Sequence, residues 1–515
     1  MDIGVLLEYT IAFTPLTILI LAIALTVFCR EKPLIQLIIS EIILGISTLL
    51  SILLLQYTLD TEKILAYMFS GFPPPIGVVY QVDAFSSFIA SITGSILLLV
   101  NPLVYAYYSG LRRYTMPMHS LLLIVYSGVT GIVYTSDYLD MYIMFSLVSI
   151  TLLLIALYSY RNSSLHILTG LTTLFSITIF FIAVLVIYSG LGTLSIADTA
   201  ADAANLNGKY FSETYGYALD PVSTLALAVS LIIIAILYPT ASIPWSYMDR
   251  VLYKRENILL SITTTCLSPI VVLYIVFRLC YTVPLVMSNS LTYYILLTLI
   301  VLNVLYGGLF IARSNELLRF LIYYVVIDTS IMMLCISIAS EEAISILLYY
   351  VIAHTITKTL IISLILGIEP SSSKSLSESQ INKRSRLFYK ILFIVGVLSA
   401  TGLPPMNIFI ARIMLIKTLI SSNYYLLSII IVYSIVASTI GFVKVYRVYS
   451  RTMWSNNMLL KILSSILLCV LVLSIILYPL LTSALSKLSL LVSSRDYRIE
   501  YIETSYKLFR LVSGG

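Results

Sequence analysis

The sequence predicts an all-α, polytopic membrane protein of about fourteen transmembrane helices. Three observations carry that expectation. Hydrophobic residues make up 60% of the chain and charged residues only 10%, a balance that no water-soluble globular domain approaches. Apolar runs of about twenty residues or more follow one another along the chain, each long enough to cross the hydrocarbon core of a bilayer. Basic and acidic residues alternate between successive connections. Backbone polar groups in lipid must be bonded within their own segment, so the runs are expected as helices.

Spans are expected near 10–29, 33–55, 84–108, 116–136, 138–159, 165–190, 219–240, 258–281, 291–313, 317–340, 343–367, 387–419, 424–448 and 459–482. The first follows an acidic start, Asp2 and Glu8, and reads as a span, because a cleaved leader would begin with basic residues. Odd-numbered connections carry the bases, among them Arg30, Lys32, Arg112, Arg113, Arg161, Arg250, Lys254, Arg255, Lys383 and Arg384. Even-numbered ones carry Asp60, Glu62, Asp83, Asp137, Asp198, Glu341 and Glu342, with Lys63 and Lys209 as the clear bases. Translocation retains Lys and Arg in the cytoplasm. The expected topology is therefore a multi-pass cell-membrane protein with both termini outside. The net charge of +6 expresses this asymmetry and gives no ground for a nucleic-acid partner; the surrounding partner is the lipid bilayer.

Two spans should be interrupted. The seventh contains Pro239 and Pro244, and the twelfth contains Gly402-Leu403-Pro404-Pro405. Proline removes a backbone donor and clashes with the preceding turn, so each helix should break within the membrane. Breaks at matching places five spans apart suggest two inverted five-helix repeats. The resulting division is N-terminal helices over 1–110, a first repeat over 111–285, a second over 286–450, and a last helix with an amphipathic outer tail over 451–515. The polar stretch Ser371 to Arg386 reads as a mobile cytoplasmic linker. In the tail, Ile499, Ile502, Tyr506 and Phe509 recur at helical spacing, which suits a helix lying on the outer face or against a neighbour.

Five isolated cysteines without a CxxC spacing, three histidines and no GxGxxG or GxxxxGK[ST] stretch offer no metal site and no nucleotide cradle. No cofactor is expected in this chain, and any redox chemistry belongs to partners.

The informative residues are ionisable ones within the spans. Tyr350, His354 and Lys358 stand at i, i+4 and i+8 on one face of the eleventh helix. Lys358 lies too deep to snorkel, so it must face protein or water inside the bundle. Desolvation favours a neutral amine and histidine titrates near neutrality, so the pair is suited to exchanging protons. Arg412, just past the Pro404-Pro405 break, would be a fixed positive charge. Glu41 in the second helix and Asp328 in the tenth would either neutralise a cation or carry a proton.

The stretch Tyr350 to Lys358 resembles the eleventh-helix HxxxHxxxK signature of the proton-translocating antiporter-like subunits shared by respiratory complex I, membrane-bound hydrogenases and multi-subunit cation/proton antiporters, with Tyr350 in place of the first histidine. Gly402 to Arg412 (GLPPMNIFIAR) resembles the family's GLPPxxGFxxK, with Ile408 for glycine and Arg412 for lysine. Leu318 to Tyr324 is similar to the start of the family's tenth helix, and Asp137 to Ile150 is similar to its fifth helix. The likeness covers roughly residues 80 to 450. It implies a glutamate on helix five and a lysine at the helix-seven break, which here fall at Ser146 and Pro239, and a helix-eight histidine, which falls near Thr264. By this comparison the entry half of the family's proton path is disarmed, while Lys358, His354 and Arg412 keep the exit half ionisable.

The resemblance implies an antiporter-like membrane subunit of a redox-driven ion-pumping complex, of NADH dehydrogenase or hydrogenase type, with a partly degenerate proton path. It has no catalytic centre of its own, and its partners are other membrane subunits, including related antiporter-like ones. The alternatives are a non-pumping structural subunit of such a complex and a subunit of a multi-subunit Na+/H+ antiporter.

Overall fold

The computed structural model describes residues 3–29, 31–69, 77–108, 117–159, 163–205, 221–252, 258–283, 289–368, 383–449 and 457–512. Its helices follow the apolar runs in order: α1 Ile3–Phe28, α2 Pro33–Thr61, α3 Ala84–Tyr108, α4 Met118–Tyr134, α5 Tyr138–Ser159, α6 Ser163–Leu191, α7 Ile196–Asn205, α8 Pro221–Ile236, α9 Ile258–Phe277, α10 Ser290–Ile311, α11 Leu317–Ile338, α12 Glu341–Leu366, α13 Lys383–Thr401, α14 Asn407–Ser421, α15 Tyr425–Tyr449, α16 Met458–Ile476, α17 Tyr478–Ser493 and α18 Arg495–Val512. Among the described residues twelve helices are long and apolar enough to cross a membrane, while Met118–Tyr134 and the apolar part of α13, Leu387–Thr401, are shorter. The protein is a polytopic, all-α membrane protein.

Sequence composition sorts these helices between centre and rim. Helices α9, α11 and α12 are buried along nearly all of their length, and α9 packs against both of the others. Helices α2, α10, α15 and α16 each bury one stripe and leave Ile and Leu on the opposite side, as lipid-facing spans do. The polar residues of the central helices therefore have only protein around them.

Both expected breaks are present. Helix α8 stops at Ile236, and a single tight turn, Tyr238–Thr240, holds Pro239. The chain leaving it is held by Asn303 of α10, whose Oδ1 accepts from the Ile243 backbone N–H at 2.6 Å. Helix α13 stops at Thr401, Gly402 takes a positive φ of 70°, and α14 restarts at Asn407 after Pro404 and Pro405.

Three features depart from the sequence reading. A two-stranded antiparallel hairpin, β1 Leu65–Met68 with β2 Val79–Val82, lies between α2 and α3. The fourteenth span ends at Ile476, not near Thr482, because Pro479 at the start of α17 opens a new helix. Arg278, beyond α9, is a further base at the even-numbered connections, and it forms a buried ion pair with Asp83 at 2.8 Å.

That pair anchors the tail. The Arg278 guanidinium lies 4.6 Å from the ring centroid of Tyr501 in α18, the Ala84 N–H donates to Tyr497 Oη at 2.8 Å, and Gln81 Nε2 donates to the Tyr501 carbonyl at 2.9 Å. Helix α18 thus docks on the protein with its tyrosines, while Ile499 of the expected apolar stripe stays exposed. The tail side chains Tyr506 and Phe509, the linker residues 369–382, and Arg30, Arg112, Arg113, Arg161, Lys209, Lys254 and Arg255 lie outside the described residues.

A buried ionic centre at the second helix break

The pattern at 350, 354 and 358 does line one face of α12, and two other helices meet it. Asp328, from the middle of α11, faces Arg412 of α14 with Nη2 to Oδ1 at 2.6 Å. Tyr350 ties the two together: its hydroxyl donates to Asp328 Oδ1 at 2.9 Å and accepts from Arg412 Nε at 2.9 Å. Arg412 Nη1 donates to the Thr401 carbonyl at 3.2 Å, one of the carbonyls left over where the break ends α13. All three residues are 0% exposed, so the two charges rely on each other and on protein hydrogen bonds to replace water.

The break itself makes room for Arg412. A Cβ on Gly402 would stand 2.9 Å from Arg412 Nη1 and 3.0 Å from its Cδ, and the positive φ excludes most other residues. Below it, Asn407 joins the restarted helix to α12 and α13. Its Oδ1 accepts from Ser399 Oγ at 2.7 Å and from the Ile408 N–H at 2.9 Å, and Thr357 and Ser399 share a bond of 2.8 Å.

His354 completes the carboxylate's shell. Its Nδ1 lies 3.1 Å from Asp328 Oδ2 and 3.1 Å from Tyr324 Oη. A carboxylate on Nδ1 places the ring hydrogen there, so Nε2, which is buried without a hydrogen-bond partner, presents its lone pair. One turn further on, Lys358 is 0% exposed and donates from Nζ to the Cys266 carbonyl of α9 at 2.7 Å. Pro269 lies in that same helix and cannot supply the amide hydrogen for the neighbouring Thr265 carbonyl. The ammonium therefore sits beside locally underbonded backbone. Chemically the arrangement is a neutralised ion pair, an imidazole with one unoccupied nitrogen, and an amine bonded to a backbone carbonyl.

The other sequence-predicted positions lie apart. Glu41 is on α2 and bonds Asn101. Ser146 Oγ donates to the Tyr142 carbonyl at 2.8 Å, Thr264 Oγ1 donates to the Leu260 carbonyl at 2.8 Å, and Pro239 sits in the tight turn after α8. The first two are spent on their own helices and the third has no polar side chain. Sequence reasoning missed Tyr324, Asn407 and the Cys266 carbonyl. Tyr324 and Asp328 are four residues apart on α11 and so share a face, a signal within reach; a backbone carbonyl acceptor leaves none. Among the described residues no three His, Cys, Asp or Glu gather as a metal-ligand set.

Known proteins share this architecture. The family model described as NADH:quinone oxidoreductase/Mrp antiporter, TM, matches residues 135–441, more than half of the chain. The chain is similar to a subunit of the Na(+)/H(+) antiporter of Bacillus subtilis, with 23% identity over 408 residues, covering 77% of this chain and 78% of the relative. Its fold is similar to a chain of the Mrp complex from Dietzia sp., with a TM-score of 0.78 and 16% identity over 98% of this chain and 100% of that one. It is also similar to a chain of the membrane-bound sulfane sulfur reductase, an archaeal respiratory membrane complex, with a TM-score of 0.74 and 15% identity over 97% and 100%.

Proposed function

Because the chain belongs to the NADH:quinone oxidoreductase/Mrp antiporter transmembrane family, we propose that it is the antiporter-like subunit of a redox-driven, ion-pumping complex in the cell membrane, with Lys358 and His354 as its proton-holding groups. The observation that carries this reading is the pairing of Arg412 with Asp328. With those charges cancelled, the Lys358 ammonium is the excess charge of the centre, and the unoccupied Nε2 of His354 one turn away is a base able to take its proton. Transfer leaves a neutral amine and an imidazolium beside the Asp328 carboxylate, which stabilises it. Energy for moving the proton on comes from partner subunits that carry the redox chemistry.

Topology follows from the same reading. The basic connections face the cytoplasm and both termini lie outside. The breaks after α8 and α13 mark the centres of two inverted repeats, over 111–285 and 286–450, preceded by the helices of 1–110 and followed by the tail of 451–515.

A second reading is favoured by one observation: Lys358 is bonded to a fixed carbonyl, as a structural lysine locking α12 onto α9 would be. In that case the subunit packs between its neighbours without moving ions. A third, a subunit of a Na+/H+ antiporter assembly without redox partners, draws support from the similarity to the Bacillus subtilis antiporter. Purification of the native assembly in mild detergent separates the first two readings, which share redox partners, from the third. Iron–sulfur or quinone-reactive subunits copurifying in fixed ratio support the redox-driven complex, and an assembly of membrane subunits alone contradicts it.

A further inference from the structure

Away from the Asp328–Arg412 centre, the buried face of α2 is mostly polar. Of the residues that α2 buries between Gln36 and Thr58, only Leu44 and Leu54 are apolar, while Ile38, Ile42, Ile46 and Leu49 are exposed on the other side. Glu41 stands next to this face, about 12 Å of helical rise from Pro33. Asn101 of α3 donates from Nδ2 to Glu41 Oε1 at 2.7 Å and to Ser40 Oγ at 2.8 Å. The Asn101 Oδ1 lies 2.5 Å from Nδ1 of His119 in α4, and the Tyr105 ring lies tilted beside that imidazole with centroids 6.2 Å apart. Among the described residues no Lys or Arg pairs with Glu41. An ionised carboxylate at this depth with neutral partners is costly, and a protonated one is not.

Small hydroxyl residues also suit close helix packing. What exceeds packing here is that the hydroxyls pair with buried tyrosines. Ser47 Oγ lies 2.9 Å from Tyr126 Oη, and Ser51 Oγ lies 3.1 Å from Tyr134 Oη, two successive rungs between α2 and α4. Gly94 of α3 keeps the seam open, because a Cβ there would stand 2.2 Å from Thr48 Oγ1 and 3.0 Å from Tyr126 Oη. Beyond Tyr134, Tyr274 Oη lies 3.1 Å from Ser86 Oγ, which donates to Asp83 Oδ1 at 2.7 Å, at the opposite end of α3 from Asn101.

We propose that Glu41 is a proton-holding carboxyl and that the hydroxyl seam between α2, α3 and α4 connects it with the membrane face at Asp83, a second proton path separate from Lys358. Within each bonded pair a hydroxyl accepts a proton on its oxygen as it releases its own, water molecules carry the proton between pairs, and the carboxylate at the end becomes a neutral acid. No oxidant, reductant or co-reactant is needed. The path stands independently of the role given to Lys358, since it shares no residue with that centre.

The test is infrared spectroscopy of the native assembly in lipid during exchange from H2O to D2O. A protonated-carboxyl band that shifts in D2O and vanishes in Glu41→Gln is expected, and Tyr126→Phe with Tyr134→Phe slows that shift at least tenfold. Ser47→Ala, which removes the hydroxyl bonded to Tyr126 Oη, slows it in the same sense and serves if the double variant does not assemble. Absence of any band assigned to Glu41, as for a carboxylate compensated by a basic group of a neighbouring subunit, overturns the site. An exchange rate unchanged in the assembled hydroxyl variants overturns the path.

Discussion

Asp328 and Arg412 are 84 residues apart in sequence and 2.6 Å apart in the fold, and their contact joins α11 to the helix that restarts after the second break. Each is fully buried, so either charge left alone would be stranded in a medium that cannot solvate it. Removing one partner, as Asp328→Asn or Arg412→Leu, should lower stability by about 3–5 kcal/mol, whereas the double variant that combines the two should recover most of the loss. Thermal unfolding of the purified assembly measures this cycle. Additive losses in the double variant would show that the two residues do not act as a pair.

Gly402 serves that pair from the backbone side. Gly402→Ala must adopt a positive φ and press its Cβ against Arg412. The backbone strain alone costs roughly 1–2 kcal/mol, so the melting temperature should fall, by more than for Gly45→Ala, where nothing lies within 4 Å of the added carbon. Equal effects of the two substitutions would show that Arg412 does not press on the break.

The first break has its own brace. Asn303→Leu removes the acceptor for the Ile243 N–H and leaves that donor unsatisfied, at a cost of about 1–3 kcal/mol. Hydrogen exchange should accelerate in residues 237–248 and stay unchanged around Asn407, where a separate asparagine holds the second break. Unchanged exchange at the first break would show that Asn303 does not hold it.

Docking of the tail should depend on pH. Burial pushes the Asp83 carboxyl up, but the Arg278 guanidinium at 2.8 Å and the bonds from Ser86 outweigh it and hold the group below the usual carboxylate range. A carboxyl depressed in the folded state contributes stability that is present above its unfolded value, near pH 4, and is lost as pH falls through the lower folded value. Helix α18 should therefore resist proteolysis at neutral pH and become cleavable below about pH 4, whereas Asp83→Asn should leave it cleavable at neutral pH as well, because Arg278 is then uncompensated. Protection that is independent of pH in both forms contradicts this anchoring.

The spans were legible in the sequence because hydropathy reports lipid contact directly, and the breaks because two prolines fall close together at each, Pro239 with Pro244 and Pro404 with Pro405 after Gly402, whereas the single Pro269 stays within α9. The alignment of Tyr350, His354 and Lys358 needed only the helical period. Partners across the bundle were not legible: Asp328 and Arg412 each read as an isolated charge, since nothing local specifies which helices touch. Arg278 was missed because a base at the border of a span looks like an ordinary interfacial residue. The hairpin between α2 and α3 was missed because four-residue apolar runs carry no decisive period. Ser146, Pro239 and Thr264 were assigned as altered family positions from the resemblance alone; in the fold Ser146 and Thr264 bond their own helices and Pro239 has no polar side chain.

Whether Lys358 carries protons is decided by proton translocation in sealed proteoliposomes of the purified complex, comparing Lys358→Met with the parent while following redox turnover in detergent. The variant should assemble, keep its turnover, and translocate protons at least about tenfold more slowly, the loss expected on removing a proton-transferring group. Translocation at the parent rate in the assembled Lys358→Met complex would refute that role and leave the lysine as a bond between α12 and α9.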